Sequence, residues 1–315
     1  MSRQLAKRGL GAPTDISGAD DDGHLVELWL DQKRSGHTRR SYGRTSMLFL
    51  MFLDDHGREL RTCRLVDLER WRASLDGSVA TLAQRISCVK SLLTFAQVTG
   101  YCQLNVGAAM VAPKVPNQLA ERILTVEEVF RLIAAAPNER CDALLRFLYG
   151  SGARIGETCA LTWDEVHAAE EEPADGYGDA FVTLHGKGGE TRHVRVSAGV
   201  HSALRALGPE GTAPGSTVFQ TRSGRPLHPS DAAAMVRRAA VAAGLAAWAE
   251  GSKRRIGSGS AVSPHWLRHA HASHALDAGA RVHLVQQTLG HASLATTSRY
   301  VHVRPGESSG KYLGV

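Results

Sequence analysis

The stretch "MVAPKVPNQLAER" constrains the chain most. It holds two prolines and no apolar period, and patterned segments flank it on both sides. A stretch of this kind reads as an interdomain linker, placed at residues 109–121. The chain therefore divides into two domains, and its 315 residues suffice for two separate cores.

The first block carries four helical patterns: "HLVELWLDQKRSG", "HTRRSYGRTSMLFLMFLDDHG", "RLVDLERWRASLDG" and "VATLAQRISCVKSLLTFAQVTG". Thr38 is placed to cap the second, and a glycine closes the third and the fourth. Short loops between amphipathic helices predict a compact helical domain over residues 21–108. The start, "MSRQLAKRGLGAPTDISGADDDG", lacks the apolar centre of a signal peptide, so residues 1–20 read as a disordered leader. Lys33, Arg34, Arg39, Arg40 and Arg44 form a run without an acid. Such a run is either a solvated face or a surface that tracks phosphates.

The second block, residues 122–315, alternates helical patterns with one hairpin. In "LTVEEVFRLIAAAP", Thr125 and Glu128 form a capping box. "ERCDALLRFLYGSG" is a helix stopped by Gly150 and Gly152, and "ARIGETCALTWDEV" restarts one. "DAFVTLHGKGGETRHVRVS" alternates apolar and polar residues around a glycine-rich turn, which predicts a β-hairpin. Helices follow at "GVHSALRALG", "SDAAAMVRRAAVAAG", "SPHWLRHAHASHALDAG" and "VHLVQQTLG". The fold class is mainly α with a small antiparallel β-sheet (α+β).

Composition narrows the partners. A hydrophobic share of 43% and a charged share of 22% suit a soluble globular protein. No apolar run approaches the ~18 residues of a membrane span, so no membrane partner is expected. Five scattered cysteines without a CxxC pair suit free thiols in a reducing compartment, hence a cytoplasmic protein. A net charge of +6 favours a polyanion such as nucleic acid.

Several short stretches carry chemistry. Ser263 and Pro264 fit the start of a helix, which places His265 and Arg268 on one face of its first turn. A helix N-terminus with an arginine and a histidine suits an anion, although a surface arginine beside a half-buried histidine has the same spacing. Arg154 follows a glycine turn with Glu157 one helical turn on. The pair fits a phosphate fork steadied by a carboxylate, or a plain surface ion pair. Lys187 sits at the hairpin tip, either as a solvated turn residue or as a mobile proton donor. Six histidines lie between His265 and His291. There is no HExxH, and no cysteine or carboxylate pair stands at ligand spacing, so neither metal nor other cofactor is expected.

Taken in order, "GARIGE", "GKGGETRHV", "HWLRH" and "LGHASLATTSRYVHV" resemble the tyrosine recombinases, or phage integrase family, over residues 23–304. The family's catalytic set falls on Arg154, Lys187, His265, Arg268, His291 and Tyr300, with Glu157 in support. Gly156 stands where a small Ser or Ala is more usual, and "LNVGAAM" lacks the proline common after the asparagine. Neither departure touches a catalytic side chain.

The resemblance implies a two-domain clamp, with a SAM-like core-binding domain followed by a catalytic domain ending in a short tail. It implies a site-specific DNA recombinase that needs neither metal nor ATP. Tyr300 would attack a backbone phosphate and form a 3′-phosphotyrosine, and strand exchange would pass through a Holliday junction. Arg154, Arg268 and His291 would hold the phosphate oxygens, His265 would assist Tyr300 as general base, and Lys187 would protonate the leaving 5′ oxygen. Partners would be double-stranded DNA carrying a specific site and a homotetramer or hetero-tetramer on two duplexes, the free protein being a monomer. DNA contacts are expected from Arg39, Arg40, Arg44, Arg85 and Lys90, and from Lys253, Arg254 and Arg255 in "GSKRRIGSGS". The role would be integration and excision, or dimer resolution. Two other readings share part of the pattern: a type IB-like DNA topoisomerase and a catalytically inactive DNA-binding accessory protein.

Overall fold

The computed structural model describes residues 15–33, 35–115, 123–168, 178–186, 189–208, 212–213, 215–245 and 262–291, then 293, 297 and 300. Lys187, Lys253, Arg254 and Arg255 lie outside the described residues, as does most of the segment around Tyr300. The chain forms two compact units, Met1–Asn117 and Gln118–Val315.

The first unit is built from α1 (Asp22–Asp31), α2 (Gly36–Asp55), α3 (Leu65–Ala73) and α4 (Val79–Val98). Caps fix three of the starts. Asp21 accepts from the His24 N–H at 2.8 Å, Ser35 from Thr38 at 3.4 Å and Ser78 from Thr81 at 3.2 Å. The cap of α2 is therefore Ser35, not Thr38. Ser35 has the extended backbone that lets its hydroxyl turn back onto the first turn, while Thr38 is already helical. The glycine rule also overshoots, since α3 ends at Ala73, well before Gly77.

The apolar stripes of these helices meet around Trp29, Phe49, Leu68, Trp71 and Leu92, all essentially buried. Phe49 and Trp71 pack edge to face at 5.0 Å. Asp22 bridges distant segments, accepting from the Leu60 N–H at 2.8 Å and the Tyr101 hydroxyl at 2.7 Å. Cys63, Cys88, Cys102, Cys141 and Cys159 are all free and buried. Burial pushes the Cys63 and Cys88 thiols up to about 12, so they pack as small apolar groups.

In the second unit, α5 (Val126–Ala134) starts at the Thr125–Glu128 capping box, with both reciprocal bonds present. Next comes α6 (Glu139–Ser151), the central helix, with Leu144, Leu145, Phe147 and Leu148 fully buried. Then follow α7 (Ile155–Ala160), β1 (Val166–Ala168), β2 (Ala180–His185), β3 (Thr191–Val196), α8 (Ala198–Arg205), α9 (Pro229–Ala242), α10 (Pro264–Asp277) and α11 (Val282–Leu289).

The sheet is antiparallel in the order β1-β2-β3, with Ala180 opposite Val196 and His185 opposite Thr191. Its inner face carries Ala180, Val182, Leu184, Val194 and Val196. "ARIGETCALTWDEV" is not one helix. The Leu161 carbonyl accepts from Val218 and the Trp163 N–H donates to Ser216, so the neighbouring extended segment captures this backbone and releases it into β1.

Candidate active site

Two helices end on left-handed glycines, Gly152 after α6 and Gly290 after α11, each with φ +61°. A helix end presents carbonyls without intrahelical partners and the negative pole of the dipole. Here those carbonyls hold three guanidinium groups. Arg268 donates to Gly152 O and Leu289 O, both at 2.5 Å. Arg154 donates to Gly290 O at 3.1 Å, and Arg192 Nε to Thr288 O at 2.8 Å. The left-handed turns serve this arrangement, because a side chain at Gly152 would strike Leu289 and the His271 ring.

One carboxylate sits among these cations. Glu157 Oε1 lies 2.8 Å from Arg154 Nη1 and 3.0 Å from Arg192 Nη1, and its Oε2 lies 2.6 Å from Arg192 Nη2. Oε2 also accepts the Arg154 N–H at 2.7 Å, capping α7. Burial alone would raise the Glu157 pKa, but the bonds from Arg192 and Arg154 outweigh it and hold the group at about 2. Three guanidiniums against one carboxylate leave a net positive cluster. Arg268 is 4% exposed, and its burial, with Arg154 nearby, works against its charge. An anion placed here relieves that cost.

His291 follows Gly290. Its Nδ1 lies 2.9 Å from the Thr297 hydroxyl, and its carbonyl accepts from Gln286 at 3.0 Å. Burial first, then Arg268, Arg154 and Arg192, push its pKa down to about 4. A neutral imidazole beside a cationic site can donate one hydrogen bond without adding repulsion. The His265 pKa is lowered by the same causes, burial ahead of Arg268 and Arg154. A cleft of about 920 Å³ is lined by Arg154, Arg192, His193, Gly290, His291 and Ser293, among others.

Tyr300 is 5% exposed and packs with Ala272, Val285 and Leu289. Its hydroxyl lies 2.5 Å from Nδ1 of His269. The resemblance places assistance to Tyr300 on His265. The ring that meets this hydroxyl is that of His269, one turn further along α10, with the His265 ring stacked 6.3 Å behind it. The other histidines of α10 serve packing. His271 donates to the Tyr149 carbonyl at 2.7 Å, and His274 pairs with the Tyr149 hydroxyl at 3.0 Å. Among the described residues, no group of three His, Cys, Asp or Glu is placed to hold a metal.

The structure thus gathers Arg154, Glu157, Arg268 and His291, with Tyr300 packed on Leu289, whose carbonyl Arg268 holds. Two residues of this cluster carry no assignment from the sequence. Arg192 shares the inner face of β3 with Val194 and Val196, and a cation on the apolar face of a strand is a detectable signal. His269 has no such signal, because its partner lies 31 residues away.

The basic residues of the first unit divide into two sets. Arg39 pairs with Asp31, Arg85 donates to Asp76 O at 3.2 Å, and Lys90 donates to Met110 O. Arg40 and Arg44 are exposed on α2.

Comparison with known proteins agrees with this architecture. Residues 122–307 match the phage integrase family, and residues 22–100 match the phage integrase N-terminal SAM-like domain. The tyrosine recombinase XerC of Brucella suis is 32% identical, over 93% of this chain and 92% of its own. That of Corynebacterium glutamicum is 31% identical, over 95% of each. Among solved structures, XerH bound to its difH substrate gives a TM-score of 0.66 at 19% identity, covering 93% of this chain and 84% of that one. A lambda integrase tetramer bound to a Holliday junction gives 0.69 at 17%, covering 94% and 81%. The chain belongs to the phage integrase family. Its activity is site-specific DNA recombination by the tyrosine mechanism, which sets aside the topoisomerase and inactive-accessory readings. Among the described residues no helix is long and apolar enough to cross a membrane.

Proposed function

We propose that Tyr300 is the nucleophile and that Arg154, Arg268 and His291 hold the phosphate it attacks. The supporting observation is the excess of positive charge, with Arg268 buried and Arg154 half-buried, fixed on the carbonyls at the ends of α6 and α11. These donors are already oriented before an anion arrives, and preorganised donors of this kind supply much of the stabilisation of a charged transition state. The phenolic oxygen attacks phosphorus, charge builds on the nonbridging oxygens, and the two arginines with the His291 N–H meet it. The 5′ oxygen leaves and takes a proton, a step the family resemblance gives to Lys187. His265, stacked on His269, lies beside the same cluster. Glu157 orients the guanidiniums of Arg154 and Arg192 and does not touch the substrate.

The substrate is double-stranded DNA with a specific site. A lambda integrase tetramer on a Holliday junction and XerH on difH support assembly as a tetramer on two duplexes. Likeness to XerC proteins along nearly the whole chain supports dimer resolution over element integration. Arg40 and Arg44 serve as phosphate contacts in the first unit, with Lys253, Arg254 and Arg255 in the second. The protein acts in the cytoplasm, where its DNA lies.

The test uses a nicked suicide duplex carrying the target site, with the products run on a denaturing gel. The wild-type protein forms a covalent adduct and Tyr300→Phe forms none. An adduct that persists in Tyr300→Phe overturns the assignment.

A further inference from the structure

We propose that His269, through its Nδ1, is the group that takes the proton from Tyr300 as the phenolic oxygen attacks and returns it when the phosphotyrosine is broken. The inference rests on Tyr300 being the nucleophile. His269 is one residue beyond Arg268, so the helix that carries the phosphate clamp also carries the ring facing the nucleophile. The contact is short, at 2.5 Å, with ring centroids 5.7 Å apart. It lies in a largely buried setting of Ala272, Val285, Leu289 and Tyr300 itself. A phenol has an unperturbed pKa near ~10, so attack at neutral pH needs an acceptor within hydrogen-bond reach. An imidazole nitrogen at this distance meets that geometric requirement.

Among the described residues, the charged and titratable groups near the pair include His265, stacked on His269, and Arg268, whose charge is felt by the Tyr300 oxygen. Arg268 favours the phenolate as it forms, and the His265 ring backs the imidazolium. The step balances. The O–H bond of Tyr300 breaks and an N–H bond forms on His269. The tyrosine oxygen bonds to phosphorus, and the bond from phosphorus to the 5′ oxygen breaks. That oxygen draws its proton from a different donor. In religation the phenol is the leaving group and recovers the proton that His269 held.

The experiment measures single-turnover cleavage of the nicked suicide duplex at saturating protein. The expected result for His269→Ala is a rate lower by about 10²-fold or more, with duplex binding in a gel-shift assay retained and part of the rate restored by added imidazole. His269→Asn keeps a polar atom near the Nδ1 position but cannot take a proton at neutral pH. It is expected to be as slow as His269→Ala, and it stands in should that variant fold poorly. On a duplex with sulfur at the bridging 5′ position, the leaving group needs no proton donor, and the His269 defect is expected to persist.

A His269→Asn variant at the wild-type rate overturns the proton transfer. A faster His269→Ala overturns it in favour of a latch that restrains Tyr300. A defect that vanishes on the sulfur substrate places His269 on the leaving-group side and also overturns it. An adduct in Tyr300→Phe marks failure of the underlying nucleophile assignment instead.

Discussion

Arg192 and Glu157 form a two-point ion pair, 2.6 and 3.0 Å long, with side chains only 12% and 5% exposed. It joins β3 to the start of α7. Because Arg192 also holds Thr288 O and Glu157 also holds Arg154, the pair ties the hairpin, the Arg154 turn and the end of α11 into one unit.

Removing either partner leaves the other buried and uncompensated. Glu157→Gln and Arg192→Met are each expected to cost about 3–5 kcal/mol of stability. Urea unfolding checks this, with the double variant losing less than the two single losses summed. Strand cleavage should fall with both, because the Arg154 guanidinium loses its orientation. A cost under ~1 kcal/mol for Arg192→Met would show that the pair acts as an exposed one.

The acid limb of stability should have two steps. His291 holds its proton less well when folded, with a pKa of about 4 against an ordinary 6.5. Between these values the unfolded chain binds a proton that the folded chain does not. Stability therefore falls as pH drops from about 6.5 to about 4. Glu157 is depressed from 4.5 to about 2, so its contribution is present above about 4.5 and is lost as pH falls toward about 2. Urea midpoints across pH should show both windows, and His291→Asn should shrink the upper one, which His265, His271 and His274 share because burial lowers their pKa as well. Bound DNA phosphate should raise the His291 pKa, read from its imidazole NMR signals.

Two glycines four positions apart should respond in opposite directions. Gly156 lies in the first turn of α7, and a side chain there meets nothing within 4 Å. Gly156→Ala should gain about 0.4–1 kcal/mol by restricting the unfolded chain. Gly152 has φ +61°, and an added Cβ falls 2.7 Å from Leu289 and 2.8 Å from the His271 ring. Gly152→Ala should cost roughly 2 kcal/mol or more. Thermal melts of the two variants check the signs.

These residues also show what the sequence makes legible. Gly152 and Gly290 announce helix ends, and Arg154 and Arg268 were readable as anion-binding because spacing along a helix fixes which face a side chain takes, whereas His291 was legible only through the family resemblance. Arg192 was masked by its hairpin, where a cation in an alternating strand reads as solvent-facing until its apolar neighbours Val194 and Val196 fix the inner face. His269 was legible only as one of six histidines from His265 to His291, and its partner depends on where α11 and the segment after it return. β1 is three residues long, too short for any period, and forms because β2 offers an edge.

The basic residues of α2 and α4 should separate by salt dependence. Arg40 and Arg44 are exposed, and each phosphate contact releases about one counterion from the duplex. Arg40→Ala and Arg44→Ala should each weaken binding across sequences and lower the slope of log K against log salt by about 1. Lys90 spends its ammonium on the Met110 carbonyl and is half-buried. Lys90→Met should alter the urea midpoint and leave the salt slope unchanged. Gel-shift titrations over a range of salt concentrations distinguish the two classes, and a Lys90→Met slope lower by a full unit would return Lys90 to the DNA contacts.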